Sequence, residues 1–577
     1  MLLSRFSFLF LLSLTPLANS ASIKRWRESE TSHATVVLQN NITVHGASAN
    51  GTESFLDIRF GHDTSGANRF KAPQAFQYPP NAIVNASAPG AACPQQKVPI
   101  PGLPLFDNVT NISEDCLTVR VDRPAGVSSG AKLPVMVFIY GGGDTVGQIY
   151  DGAYDPSGLI LGAAQKGFPI IYAAMNYRVG VFGFAASDAL RKEGSLNAGL
   201  LDQRLGLKWI QENIAAFGGD PDQVTVFGES DGATGVGLQI TAYGGQGPKP
   251  PFRRAIMESG GPTADAGTAS NFSAVHTAAL ADLLNCSSAN SVPDLACLRK
   301  VPLTKLVNIA YQYEVKTEPP SGLDVFIPTA PSTFIPDSPS RLLYQGRFSK
   351  DIDIISGWNE DDGSFFVSPT IDSEAKLLEF FAFSFPNLSN ATTKEVLNLY
   401  PVSQFESSAT KNVSAQYFRA SRIMRDAYYA CPSVLMVQSN GKYSNASTAN
   451  YLYVLNQTMF TSVFEEAGDA YLGVSHFSDI PFVFNQASTR YAQVSTSSDV
   501  KLSSLVSGSW AAFAAFGIPS GRNGTLTTWP RAGNSSGLEI EIIGGPDAGV
   551  QSSKEYEELQ ERCTFWNSPV VTQQLQV

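Results

Sequence analysis

Apolar residues in this chain follow two rhythms. Leu133 to Tyr140, Ile170 to Ala174, Val224 to Phe227 and Ala255 to Met257 are short, nearly unbroken apolar runs, the pattern of strands buried on both faces. Asp351 to Ser356 and Tyr451 to Leu455 read as further strands. Between the second and third runs, Leu201, Leu205, Ile210, Ile214 and Phe217 mark one face of a helix, which Gly218-Gly219 and then Asp220-Pro221 stop. A second helical pattern resumes from Ala233 to Ile240. Strands that alternate with helices predict an α/β fold around a mostly parallel sheet.

The breaks in this pattern carry the candidate chemistry. The run Val224 to Phe227 breaks into Gly228-Glu229-Ser230-Asp231-Gly232. Glycines on both sides let the backbone turn sharply, which lifts the Ser230 hydroxyl out of a strand-to-helix turn and aims the next N–H at the same space. The spacing alone is common turn chemistry. It gains weight from Gly141-Gly142-Gly143 after the first strand, where bare backbone N–H groups could approach a substrate oxygen.

A serine nucleophile needs a base, and the five histidines are His33, His45, His62, His276 and His476. In this architecture the order is serine, acid, histidine, which leaves His276 and His476. His276 lies in a helix-like stretch beside a sequon and reads as a surface residue, so His476, in the loop Gly473 to Phe482, is the expected base. The acid should leave a strand between them. Asp351 to Ser356 empties into Gly357-Trp358-Asn359-Glu360-Asp361-Asp362-Gly363. A short acidic run is usually a solvated loop, but Gly363 suggests a constrained turn that presents Asp362 inward.

With 577 residues, 43% of them apolar and 16% charged, the chain can bury a large core. No repeat or linker divides it, so residues 22–577 are expected to form a single domain with large insertions. A net charge of −11 without a basic cluster argues against nucleic acid and anionic membranes as partners. Met1 to Ala21, with Arg5, an apolar stretch from Phe6 to Leu14 and Ala18-Asn19-Ser20-Ala21, reads as a secretory signal peptide. No other stretch reads as transmembrane, and Val570 to Val577 carries neither an anchor tail nor a retention signal. The expectation is an extracellular protein, free or associated with a cell wall. Sequons at Asn41, Asn50, Asn85, Asn108, Asn111, Asn271, Asn285, Asn387, Asn390, Asn412, Asn445, Asn456, Asn523 and Asn534 fit a glycosylated surface. Cys93, Cys116, Cys286, Cys297, Cys431 and Cys563 suggest three disulfides, with about 15 pairings open. If Cys93 and Cys116 pair, Pro94 to Asp115 becomes a stapled loop that either covers a pocket or is plain surface.

Taken together, these residues resemble the type-B carboxylesterase/lipase family of α/β-hydrolases, which includes cholinesterases and secreted fungal lipases. The resemblance rests on Gly199-Leu200-Leu201-Asp202-Gln203, Phe217-Gly218-Gly219-Asp220-Pro221, Phe227-Gly228-Glu229-Ser230, Glu114-Asp115-Cys116-Leu117, Asn176-Tyr177-Arg178 with Gly183-Phe184, and Arg562-Cys563-Thr564-Phe565-Trp566. It implies an α/β-hydrolase fold, hydrolysis of carboxylic esters without cofactor or metal, and Ser230, His476 and Asp362 as the triad. It implies an oxyanion hole from Gly142, Gly143 and the Asp231 N–H, and disulfides Cys93–Cys116, Cys286–Cys297 and Cys431–Cys563.

Three positions depart from the family pattern. Asp362 replaces the usual Glu, so its loop must sit closer to His476. Asp231 replaces the usual Ala, and Asp144 follows the glycine triplet where an apolar residue is common. Either both aspartates point away or are hydrogen-bonded, or they line the pocket and select a polar or cationic substrate. Pro94 to Asp115 contains no Trp or Tyr, which disfavours a choline ester. A small or medium ester, of secondary-metabolite or plant origin, is the first expectation. A lipase or sterol esterase comes second, and a non-catalytic binding protein similar to neuroligins third.

Overall fold

The structure, a computed structural model, describes residues 34–96, 107, 109–318, 323–533 and 537–577. The signal peptide, most of the apolar positions in the loop after Cys93, and the sequons Asn108 and Asn534 lie outside the described residues. Of the other sequons, Asn456 is half-buried and the rest are exposed.

Among the described residues thirteen strands form one sheet. In chain order they are β1 (Ala34–Val37), β2 (Thr43–Ala49), β3 (Thr52–Arg59), β4 (Ile83–Asn85), β5 (Thr118–Pro124), β6 (Leu133–Ile139), β7 (Ile171–Met175), β8 (Gly219–Glu229), β9 (Arg254–Glu258), β10 (Asp353–Asn359), β11 (Asn450–Leu455), β12 (Glu539–Ile543) and β13 (Gly549–Ser552). The order across the sheet is β1-β2-β3-β5-β7-β6-β8-β9-β10-β11-β12-β13, with β4 beside β2. From β7 to β12 every pairing is parallel, and the strands outside that block pair antiparallel, apart from β4 on β2.

The parallel block is the part read from continuous apolar runs. Its residues, such as Val135, Val137, Ile139, Val226 and Ile256, are fully buried, because helices flank the sheet. Helix α1 (Ala198–Asn213) packs near β7 and β8, α2 (Asp231–Thr241) on β8 and β9, α4 (Cys431–Tyr443) on β10 and β11, and α5 (Ser497–Phe516) on β6 and β8; α3 (Ala415–Arg425) precedes α4. Chain order reverses at β7-β6-β8, and such a switch point leaves a crevice beyond the carboxyl ends of the strands. Helical insertions follow β9 and β10 and supply much of the wall over that crevice.

Three disulfides join Cys93 to Cys116, Cys286 to Cys297 and Cys431 to Cys563, the pairing that the family resemblance implies. The last ties α4 to the helix Leu559–Trp566, 132 residues away in sequence.

Candidate active site

Strand β8 ends at Glu229 and α2 begins at Asp231, so Ser230 occupies the whole turn between them. Its backbone sits at φ +59°, ψ −130°, a strained region for a residue with a side chain. The flanking glycines make the turn possible. A Cβ on Gly232 would lie 2.1 Å from the Ile139 carbonyl oxygen, and one on Gly228 2.6 Å from the Gly232 carbonyl carbon.

His476 brings Nε2 to 2.8 Å from Ser230 Oγ and Nδ1 to 2.8 Å from Asp362 Oδ1. The imidazole is buried and packs against the rings of Phe366, Tyr429 and Phe477. Tyr429 comes from a π-helical turn, Asp426–Ala430, between α3 and α4, a distortion that often re-aims side chains at functional sites. His276 is elsewhere, half-buried with Nδ1 2.6 Å from the Tyr313 hydroxyl.

The acidic run after β10 divides into three roles. Glu360 pairs with Arg422 and Arg425. Asp361 Oδ2 accepts from the Val474 N–H at 2.9 Å, and the Asp361 N–H donates to the Val474 carbonyl, which pins the loop that carries His476. Asp362 is fully buried and faces the imidazole; its Oδ2 also accepts from the Ser259 hydroxyl at 2.8 Å and the Asn359 N–H at 2.7 Å. A Cβ on Gly363 would meet the Ser421 carbonyl oxygen at 2.0 Å. Its absence lets the turn lie flush on α3, which brings the shorter carboxylate within reach.

Sequence reasoning missed Ser259 and Asn359, although Ser259 closes β9 before Gly260-Gly261, a turn signal at a strand end. It also missed the acids beneath the site. Glu229 Oε1 lies 3.4 Å from His476 Nε2, and neither of its oxygens has a hydrogen bond. Burial, followed by the nearby Asp479 and Asp362, pushes its carboxyl well above the usual range. Glu258 is shifted the same way, and its Oε1 accepts from Trp510 Nε1 at 2.5 Å. Burial and Asp362 raise Asp479 to about 6. Among these acids Asp362 is the one that meets the far side of the imidazole, at Nδ1.

On the other side of Ser230, the loop after β6 places Gly142 (φ +113°) and Gly143 (φ +62°) in conformations that favour glycine. A Cβ on Gly141 would lie 2.8 Å from that of Ser230, so the whole triplet is needed for close approach. The Gly143 N–H donates to Asp231 Oδ2 at 2.5 Å, and that oxygen is 3.3 Å from Ser230 Oγ. Of the two alternatives, Asp231 meets part of each: its side chain is hydrogen-bonded and it also lines the cavity. It turns back into the cavity because its own N–H and that of Gly143 are the donors nearest to a carboxylate at the start of a helix. Asp144 is also buried, and its Oδ2 has no hydrogen-bond partner. Oxygens of Asp144, Asp231 and Asp265 lie within 4.8 Å of one another, the grouping among the described residues that could hold a metal ion.

These groups face a cavity of about 420 Å³, lined by Ser230, Gly143, Asp231, Phe366, Phe383 and Tyr428 among others. A hydroxyl in line with an imidazole and a carboxylate, beside backbone donors, can transfer an acyl group through serine.

The Carboxylesterase family matches residues 34–566. The inactive carboxylesterase-like protein VdtD of Byssochlamys spectabilis is 39% identical, over 91% of this chain and 92% of its own length. A secreted lipase of Arthroderma benhamiae is 37% identical over 92% and 94%. Among solved structures, Aspergillus niger EstA aligns with a TM-score of 0.76 at 26% identity, over 94% of this chain and 99% of its own. The fold is accordingly that of the α/β-hydrolase esterases, and the chain belongs to the carboxylesterase family of carboxylic ester hydrolases.

Proposed function

We propose that the protein is a secreted serine esterase that hydrolyses small or medium carboxylic esters through an acyl-enzyme, with residues 22–577 as one catalytic domain. The observation that carries the reading is the unbroken line Asp362, His476, Ser230, with both imidazole contacts at 2.8 Å, at a strained turn facing a cavity. His476 takes the Ser230 proton as Oγ attacks the carbonyl, and Asp362 holds the tautomer and stabilises the imidazolium. Backbone N–H groups of Gly142, Gly143 and Asp231 receive the oxyanion. His476 then protonates the leaving alcohol, and water repeats the sequence on the acyl group. A cavity of about 420 Å³ suits a ligand of modest size. No metal or cofactor enters these steps. Relatives named secreted lipases support the extracellular reading, and among the described residues no helix is long and apolar enough to cross a membrane.

Two observations favour a second reading, a binding protein without turnover. The Asp231 carboxylate occupies the Gly143 donor, and one close relative is named inactive. Labelling with a fluorophosphonate, read by intact mass and peptide mapping against Ser230→Ala, separates the two. A single adduct on Ser230 is expected. Folded protein that takes up no label would favour the binding reading.

A further inference from the structure

The cavity that Ser230 faces carries several carboxyl groups. Asp231, Asp265, Asp324 and Glu318 line it, and among the described residues no lysine or arginine does. Asp144 stands against them, with oxygens of Asp144, Asp231 and Asp265 within 4.8 Å of one another. Asp144 is only 4% exposed, and its Oδ2 has no partner; neither has Asp265 Oδ2. Burial, then mutual repulsion, pushes Asp144, Asp265 and Asp324 well above the usual carboxylate range. The same cavity is lined by the rings of Phe365, Phe366, Tyr428, Tyr429 and Phe477. Crowded carboxyl oxygens without donors and electron-rich ring faces share one complementary ligand, a cation that brings several N–H groups.

Position decides where on the substrate that charge sits. Asp231 Oδ2 is 2.5 Å from the Gly143 nitrogen and 3.3 Å from Ser230 Oγ, so it occupies the place of a scissile carbonyl oxygen. A cation that engages it must lie beside the carbonyl itself. In an α-amino acid ester, the nitrogen is separated from the carbonyl carbon by one atom, roughly 2.5 Å.

Building on the ester-hydrolase reading above, we propose that the site selects esters of α-amino acids. The substrate's ammonium is received by Asp231, Asp144 and Asp265, and this draws the Asp231 carboxylate off the Gly143 N–H and frees that donor for the carbonyl oxygen. The covalent steps are unchanged. The Ser230 proton passes to His476 as the Oγ–C bond forms, then to the leaving alkoxide as the ester C–O bond breaks; water releases the amino acid, and the ammonium keeps its protons throughout. An ester of the same shape without the amine has to compete with Asp231 for Gly143.

The test compares L-alanine benzyl ester with benzyl propionate, which differ in the amine, at about pH 6 where an α-amine is cationic. Wild type should favour the amino ester in kcat/KM by about 10–100-fold, the value of a charge-assisted hydrogen bond. Asp265→Asn should lose most of that preference, read as the ratio of kcat/KM for the two esters. Equal kcat/KM for both esters in wild type overturns the proposal and leaves the hydrolase reading standing, whether or not the variant folds. No turnover of either ester, with no fluorophosphonate adduct, overturns both. A Tm or rate that responds to millimolar calcium or manganese against EDTA, and ceases to respond in Asp265→Asn, makes the cluster a metal site and overturns the proposal.

Discussion

The two sides of Ser230 are built on opposite principles. On the histidine side the contacts that hold the base are closed: Asp362 holds the imidazole, a hydroxyl and a backbone N–H together, and Asp361 pins the loop. On the glycine-loop side the contacts are left open or self-directed. One backbone donor is spent on a side chain of the same chain, and oxygens of Asp144 and Asp265 have no donor. The satisfied side is ready before substrate arrives, as preorganised electrostatics requires. The other side is ordered for something that has yet to enter. Readiness for chemistry and selectivity for substrate are thus separated across a few ångströms.

Four measurements break or sharpen this contrast. The largest effect should come from the closed side. Asp362→Asn should lower kcat on p-nitrophenyl acetate by about 10³–10⁴-fold with KM little changed; a loss under tenfold would mean that the side is not preorganised by Asp362. Next is the stability of the acid-rich side, tested at Glu314, which sits in the helix Leu303–Thr317 just before the cavity-lining Glu318. Burial raises Glu314 from 4.5 to about 8. An acid raised by folding stabilises fully below its unfolded value, and that contribution is lost as pH climbs through the folded one. Glu314→Gln should therefore flatten the fall in Tm between pH 5 and 8, an effect of up to roughly 5 kcal/mol at one pKa unit per 1.36 kcal/mol. Third, Asp231→Ala should speed fluorophosphonate labelling of Ser230 by about tenfold or more, because a freed N–H meets the phosphonyl oxygen. Slower labelling would mean that Asp231 assists the serine. Smallest, Ser259→Ala should cost a few-fold in kcat, because Asp362 keeps its contacts to His476 and the Asn359 N–H.

The closed side was also the legible one. Buried parallel strands announce themselves as apolar runs, and the Ser230 turn as glycine spacing, because both depend on neighbours in sequence. His476 followed from scarcity and order. Choosing Asp362 over Glu360 and Asp361 rested on the glycine after it together with the family resemblance. The antiparallel β1 to β3 edge went unread because its strands mix exposed and buried positions. The open side was legible only in part: Asp144 and Asp231 stood out as departures from the family pattern, while Asp265 and Asp324 did not. Asp144, Asp231, Asp265 and Asp324 come from segments far apart in sequence, and whether the Asp231 carboxylate turns outward or back to Gly143 is a rotamer choice made by tertiary contacts.

The backbone of Ser230 has a consequence for how such a chain ages. At φ +59° a side chain costs about 1–3 kcal/mol that glycine would not. Mutational drift without a use for the hydroxyl would be rewarded with stability for discarding it, so the turn acts as a standing incentive toward loss of function. A serine that remains there is being held against that gradient by whatever its oxygen does.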